Sequence, residues 1–221
     1  MIKAVLFDVD GTLVDSVDLH ARSWHETLKK FGHDLPYEQV RSQIGKGSDL
    51  LVPALIGEDA DKRNGDEIRD ARHTLFKDQY LDQVKPFQKT RDLIQAVLDD
   101  GKKVVLASSA KADELEAYKK AAGIEDLIDK ATSSDDAEKS KPYPDIFQAA
   151  LKQAGVRPDE AVVIGDTPYD AEAAGKAGIP VLGVLCGGFP EADLREAGAR
   201  EIYRDPADLL ARYQDSLIAK G

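Results

Sequence analysis

The chain holds a single cysteine, Cys186, among 221 residues, which excludes an internal disulfide framework and a cysteine-built zinc site. Its setting in Val184-Leu185-Cys186-Gly187 predicts a small buried apolar residue rather than a nucleophile. Long apolar runs are also missing, and none approaches the length that spans a bilayer. Asp8 and Asp10 interrupt the one apolar run near the N-terminus, so no signal-peptide pattern forms there. The expectation is a soluble, cytoplasmic protein without a membrane partner. Positive charge is in deficit: 30 Lys and Arg against 41 Asp and Glu leave a formal net charge of −11. That balance argues against a nucleic-acid partner held through its phosphates. It leaves room for a small anion bound in the local field of a metal and a few lysines. No internal repeat or low-complexity segment occurs, and nothing in the sequence fixes the oligomeric state.

What is present is an ordinary globular balance, with 42% hydrophobic and 32% charged residues. The length suits one large domain or one domain with an insert. Ala4-Val5-Leu6-Phe7 predicts a strand buried on both faces, closed by Asp8-Val9-Asp10-Gly11-Thr12. Side chains alternate along a strand, so Asp8 and Asp10 are expected to project to one side, where a divalent cation between them would relieve their repulsion. Gly11 permits a tight turn and Thr12 adds a hydroxyl beside it.

Beyond Val14 the pattern turns helical. Val17, Ala21, Trp24, Leu28 and Phe31 form one apolar stripe closed by Gly32. A second helical stretch follows Pro36 to about Gln43, and Ile44 to Ser48 is a loop. Ser48 or Asp49 is expected to cap a short helix through Leu55. Residues from about Ala60 to Tyr80 form a charged helix whose sparse apolar face is Ile68, Leu75 and Phe76. No strand-like run occurs between Ser16 and Pro86, which predicts an all-α insert over 16–86 and a core made of 1–15 and 87–221.

From Pro86 onward strands and helices alternate. Strands are expected at Lys103–Ala107, weakly at Ile128–Thr132, and at Ala161–Gly165, Pro180–Leu185 and Glu201–Tyr203. Helices are expected at Thr90–Leu98, Lys111–Ala122, Pro144–Ala154, Tyr169–Ala177 and Pro206–Ala219. The fold class is therefore α/β: a Rossmann-like core with a mostly parallel sheet flanked by helices, plus the helical insert.

In such sheets ligands sit beyond the carboxyl ends of the strands. Those ends carry Asp8, Asp10, Ser108 and Asp166, with Lys141 ahead of Pro142 in a loop and Asp170 one turn after Asp166. Oxygen donors without a His or Cys cluster suit Mg2+ rather than Zn2+, and a lysine and a hydroxyl complete the parts that phosphoryl transfer uses.

Asp8-Val9-Asp10-Gly11-Thr12-Leu13, then Ser108, Lys141-Pro142 and Gly165-Asp166-Thr167-Pro168-Tyr169-Asp170 resemble the four ordered motifs of the haloacid dehalogenase superfamily. The resemblance covers nearly the whole chain, and the insert matches the subclass with a helical cap after the first strand. It implies Asp8 as nucleophile, Asp10 as acid/base, and Ser108 with the Ser109 amide on the phosphoryl group. Lys141 would balance charge, and Mg2+ would be held by Asp8, the Asp10 carbonyl, Asp166 and Asp170. Thr12, His20 and Lys46 are the expected further substrate contacts. The implied activity is a phosphatase acting on a small phosphorylated metabolite. A phosphomutase acting on β-glucose 1-phosphate is the main alternative. It is disfavoured because Gly45-Lys46-Gly47-Ser48-Asp49 lacks an arginine for a second phosphate, although Arg41 is near. A phosphonatase using Lys46 and a non-catalytic phospho-switch are weaker alternatives. The second Asp of the first motif argues against dehalogenation.

Overall fold

The computed structural model describes all residues from Met1 to Gly221. In chain order, β1 (Ala4–Phe7) and β2 (Val14–Asp15) lead into α1 (Val17–Lys30), α2 (Tyr37–Arg41), α3 (Ser48–Ile56) and α4 (Glu58–Gln79). β3 (Lys85–Pro86) then precedes α5 (Thr90–Asp99), β4 (Lys103–Ala107), α6 (Ala112–Ala122) and β5 (Ala131–Thr132). The remainder is α7 (Asp145–Ala154), β6 (Ala161–Gly165), α8 (Pro168–Lys176), β7 (Val181–Val184), α9 (Glu191–Glu196), β8 (Glu201–Tyr203), α10 (Pro206–Ala211) and α11 (Leu217–Lys220). No helix is long and apolar enough to cross a membrane.

Six strands form one sheet in the order β5-β4-β1-β6-β7-β8, with every neighbouring pair parallel. The chain leaves β1 for β4 and β5 on one side, then returns to β6 on the other. Connections therefore diverge above β1, which opens a crevice at the carboxyl ends of β1, β4 and β6. Phe7 is level with Leu106 and with Ile164, so the residues that follow these three strands arrive within one residue of the same height.

The period of two along each strand divides the core. Val5, Phe7, Val104, Leu106, Val162 and Ile164 pack on one face with residues of α5 and α6. Ala4, Leu6, Val105, Ala107, Ala161 and Val163 pack on the other against α7 and α8. Burying a side chain such as Phe7 or Leu6 contributes about 1.5–3 kcal/mol, which holds the strand ends beneath the crevice in fixed positions.

Residues 17–79 carry a separate apolar cluster in which Val17, Ala21, Trp24 and Leu28 of α1 meet Val40, Leu51, Leu55 and Ile68. The stripe read from the sequence is the buried face of α1, with Phe31 partly buried at its end. Several local expectations differ from the structure. β2 and β3 form a short antiparallel ribbon that joins the two ends of the helical segment; two residues per strand leave no periodicity to read. Gly47, not Ser48 or Asp49, is the N-cap of α3, because the Asp49 carboxylate is engaged by Ser140 at 2.5 Å. The weak strand at 128–132 shrinks to Ala131–Thr132. The final helix is broken by extended backbone at Ser216, whose hydroxyl donates to the Tyr213 carbonyl at 2.6 Å, so that Tyr213 and Ile218 are both buried. The six-residue α9, mostly charged with Leu194 alone buried, gives no sequence signal.

Candidate active site

β1 stops at Phe7, and the Asp8 amide makes one further sheet bond to the Ile164 carbonyl at 2.9 Å. The chain then folds back: the amides of Thr12, Leu13 and Val14 all donate to the Val9 carbonyl. Gly11 makes this possible with φ +77°, and a Cβ there would stand 2.7 Å from Val17 and from the Asp166 carboxyl carbon. Because the strand has ended, Asp8 and Asp10 no longer follow sheet alternation. Their carboxylates take different partners, Lys141 for Asp8 and Ser16 with His20 for Asp10.

The Asp8 carboxylate meets Lys141, whose ammonium donates to Asp8 Oδ1 at 2.5 Å and to the Ala107 carbonyl at 3.1 Å. Lys141 Nζ also lies 2.7 Å from Asp170 Oδ1, an ion contact without a hydrogen bond's alignment. Asp170 reaches this point as the third residue of α8. Its Oδ2 accepts from the Thr167 amide and hydroxyl, while its own amide donates to Thr167 Oγ1. This reciprocal cap, rather than a helix face shared with Asp166, brings the two carboxylates together, since α8 begins only at Pro168. Asp166 Oδ1 accepts from Thr12 Oγ1 at 3.2 Å, and its Oδ2 is buried with no partner.

Oxygens of Asp8, Asp166 and Asp170 thus lie within 4.8 Å of one another, and all three residues are buried. Three carboxylates face one ammonium. Burial pushes the Asp8 carboxyl up to about 7 against the pull of Lys141, and Asp170 and Asp10 add to the rise. Burial likewise raises Asp166 well above the carboxylate range, followed by the charges of Asp8 and Asp170. Lys141 is held above its ordinary value: burial would lower it, but Asp170 and Asp8 more than reverse this. A hard divalent cation fits this oxygen-only donor set, with its surplus negative charge and the orphaned Asp166 oxygen.

Asp10 turns the other way. Its Oδ1 accepts from Ser16 Oγ at 2.6 Å and contacts His20 Nε2 at 2.8 Å. Burial works to raise the Asp10 carboxyl, yet His20, Ser16 and the positive Arg72 hold it below the usual range. His20 is itself buried, stacked on Phe76 at 4.2 Å, with Nδ1 against the Arg72 guanidinium. Arg72, on α4, also reaches Ser23 at 3.2 Å and Glu114 of α6 at 3.5 Å. Arg72 and Glu114 carry no signal in the sequence, since a charged helix far along the chain gives no sign of which residues face a strand end.

A cavity of about 320 Å³ opens on this group, walled by Asp8, Asp10, Ser108 and Ser109 and by residues of the helical segment such as Lys46 and Arg69. Ser108 is fully buried. Its oxygen accepts from the Ala110 amide at 3.0 Å, so its own hydrogen is free to be donated. Of the other expected contacts, His20 meets Asp10, and Thr12 does not line the cavity but supports Asp166. Lys46 donates to Gln43 Oε1 at 2.6 Å and lies over the Tyr169 ring. Cys186 is half-buried rather than fully buried, its thiol donating to the Gly11 carbonyl at 3.1 Å and raised by burial and by Asp166.

A family model described as haloacid dehalogenase-like hydrolase matches residues 5–184. A phosphoglycolate phosphatase of Nitrosospira multiformis is 32% identical over 84% of this chain and 84% of its own. The pyrophosphatase PpaX of Bacillus pumilus is 28% identical over 95% of each chain. Among solved structures, a hydrolase from Pseudomonas syringae superposes with a TM-score of 0.90 at 28% identity, covering 96% of this chain and 98% of that one.

Proposed function

Because the chain belongs to the haloacid dehalogenase-like hydrolase family and is a phosphatase-type enzyme, we propose that it is a Mg2+-dependent phosphatase hydrolysing a small phosphate monoester through an aspartyl-phosphate on Asp8. The observation that carries this reading is Asp8 itself, on the cavity wall beside Ser108 and paired with buried Lys141. We take 16–86 as a cap over a core of 1–15 and 87–221.

Asp8 attacks phosphorus, forming the carboxylate oxygen–phosphorus bond as the bond to the leaving oxygen breaks. Asp10 gives the leaving oxygen its proton. It rests as a carboxylate, so that proton is taken up with the substrate. Water then attacks phosphorus, Asp10 takes its proton, and Asp8 leaves with its oxygen restored. Ser108 donates its free hydrogen to a phosphoryl oxygen, the Ser109 amide assists, and Lys141 balances the transferred charge. Asp8 and Asp166, with the Asp10 carbonyl and Asp170, are the residues that would hold Mg2+, which when bound neutralises charge on the phosphoryl oxygens.

A phosphomutase needs a cation for a second phosphate. Arg41 is spent elsewhere, on Asp18 at 2.7 Å and the Gly187 carbonyl at 3.1 Å, and it does not line the cavity. Two arginines of α4 do line it, but Arg69 is paired with Asp61 and Asp66, and Arg72 with Glu114. No arginine of the cavity is left free for a second phosphate, and the phosphatase reading is favoured on that ground, with Lys46 and Lys111 the remaining cations of the lining. Phosphate release with Mg2+ across a panel of phosphorylated metabolites tests it, beside conversion of β-glucose 1-phosphate to the 6-phosphate with a bisphosphate activator. Isomer without phosphate would overturn it. So would a long-lived phosphate on Asp8 without turnover.

A metal and pH dependence of stability follows from Asp8. Its folded carboxyl, raised to about 7, keeps a proton that the unfolded chain releases from about 3.8. The associated stability is full below the lower value and is lost as pH rises through the higher one. A cation between the carboxylates removes that loss. Mg2+ is expected to raise the melting temperature by several degrees at about pH 8 and little at about pH 5, with EDTA reversing the gain. Equal gains at both pH values would count against these ligands.

A further inference from the structure

A buried phenol that this chemistry leaves unused stands against His20, the partner of Asp10. Tyr118, on α6, is 1% exposed, and its oxygen lies 3.1 Å from His20 Nε2 with the two rings edge to face. The hydrogen positions follow from the partners. A guanidinium only donates, so the contact between Arg72 and His20 Nδ1 makes Nδ1 an acceptor. The ring hydrogen is then on Nε2, and it points at Asp10 Oδ1, 2.8 Å away. A nitrogen carrying that hydrogen cannot accept another. The Tyr118 hydroxyl is shut off from solvent, so it needs an acceptor, and the acceptor that shares His20 Nε2 with it is the Asp10 carboxylate.

We propose that Tyr118 is a positioning residue for Asp10, donating its hydroxyl hydrogen to the carboxylate that Ser16 and His20 also hold. The proposal rests on the reading of Asp10 as acid/base. Ser16 Oγ and His20 Nε2 both converge on Asp10 Oδ1. One further donor restricts rotation of the carboxylate, which is what fixes its free edge toward a leaving oxygen. The phenol comes from α6, whereas His20 comes from α1, so two helices far apart in sequence meet behind Asp10.

The test compares Tyr118→Phe with the unaltered enzyme, with Mg2+, on 4-nitrophenyl phosphate and on an unactivated alkyl phosphate. An activated aryl oxygen leaves with little protonation, whereas an alkoxide needs the acid. Loss of one hydrogen bond to a charged group is expected to lower kcat about tenfold on the alkyl ester and less than about threefold on the aryl ester, with KM within about twofold. Tyr118→Met, which also lacks the hydroxyl and fills irregular space, is a second variant read in the same way should the first fail to fold. Asp10→Asn separates the two layers of the argument. If it depends steeply on the leaving group while both Tyr118 variants fall evenly or not at all, the Tyr118 assignment fails alone. If it shows no such dependence, the acid/base reading of Asp10 fails instead. Adding Tyr118→Phe to Asp10→Asn should change kcat by less than about twofold, whereas a purely structural role would multiply the losses.

Discussion

Asp8→Asn is expected to lower Mg2+-dependent phosphate release by at least about 10⁴-fold, because an amide is a far weaker nucleophile than a carboxylate and no other group stands in its place. The change is nearly isosteric. An asparagine oxygen can still accept from Lys141, which now donates to Asp8 Oδ1 at 2.5 Å, so the fold has no reason to move. Stability should move the other way from activity. Asp8 is one of three carboxylates around a single ammonium, and burial already drives it up to about 7. Removing its charge therefore relieves the metal-free chain at about pH 8, where the melting temperature should hold or rise. A variant that keeps turnover within about tenfold of the parent would remove Asp8 from the nucleophile's role, whatever its stability.

Lys141→Met is expected to damage both properties. The side chains are of similar length, but Lys141 is 1% exposed and is the ammonium that answers Asp8 and Asp170. Removing one partner of a buried ion pair costs about 3–5 kcal/mol, and here it leaves carboxylates with no counter-ion at all. Urea unfolding in EDTA at about pH 8 should show a loss of this size, shrinking toward about pH 5 as the carboxyls take up protons. Mg2+ should restore much of the stability, since it supplies the missing positive charge, but not the activity. Turnover is expected to stay at least about 10³-fold down, because the ammonium that balances the attacking and transferred groups is gone. Unchanged stability in EDTA, or activity recovered by Mg2+ alone, would show that Lys141 does not balance this cluster.

The parts of this protein that were legible in advance are those set by neighbours in the chain. The continuous apolar runs at Ala4–Phe7, Lys103–Ala107 and Ala161–Gly165 are strands over those same residues, since a parallel sheet buries both of their faces. The α1 stripe was equally clear. Asp8, Ser108 and Asp166 follow three strands whose ends lie within one residue of level, so their convergence follows once the sheet is assumed. Where a run was too short or too charged to show a period, as in β2, β3 and α9, nothing could be read.

Other features were decided by partners far apart in sequence. Thr12 meets Asp166 across 154 positions, and Lys141 meets Asp8 across 133. Arg72 reaches His20 from 52 positions away and Glu114 from 42. Composition and order in the chain determined the α/β architecture, the supply of oxygen donors and the ends at which they stand, because periodicity and turn chemistry act over a few residues. Folding alone decided that the carboxylates of Asp8 and Asp10 face different partners, that Asp170 arrives through a helix cap, and that Arg72 and Tyr118 stand behind His20. A side chain's partner depends on which surfaces close upon it, and that is a property of the packed molecule rather than of any local stretch.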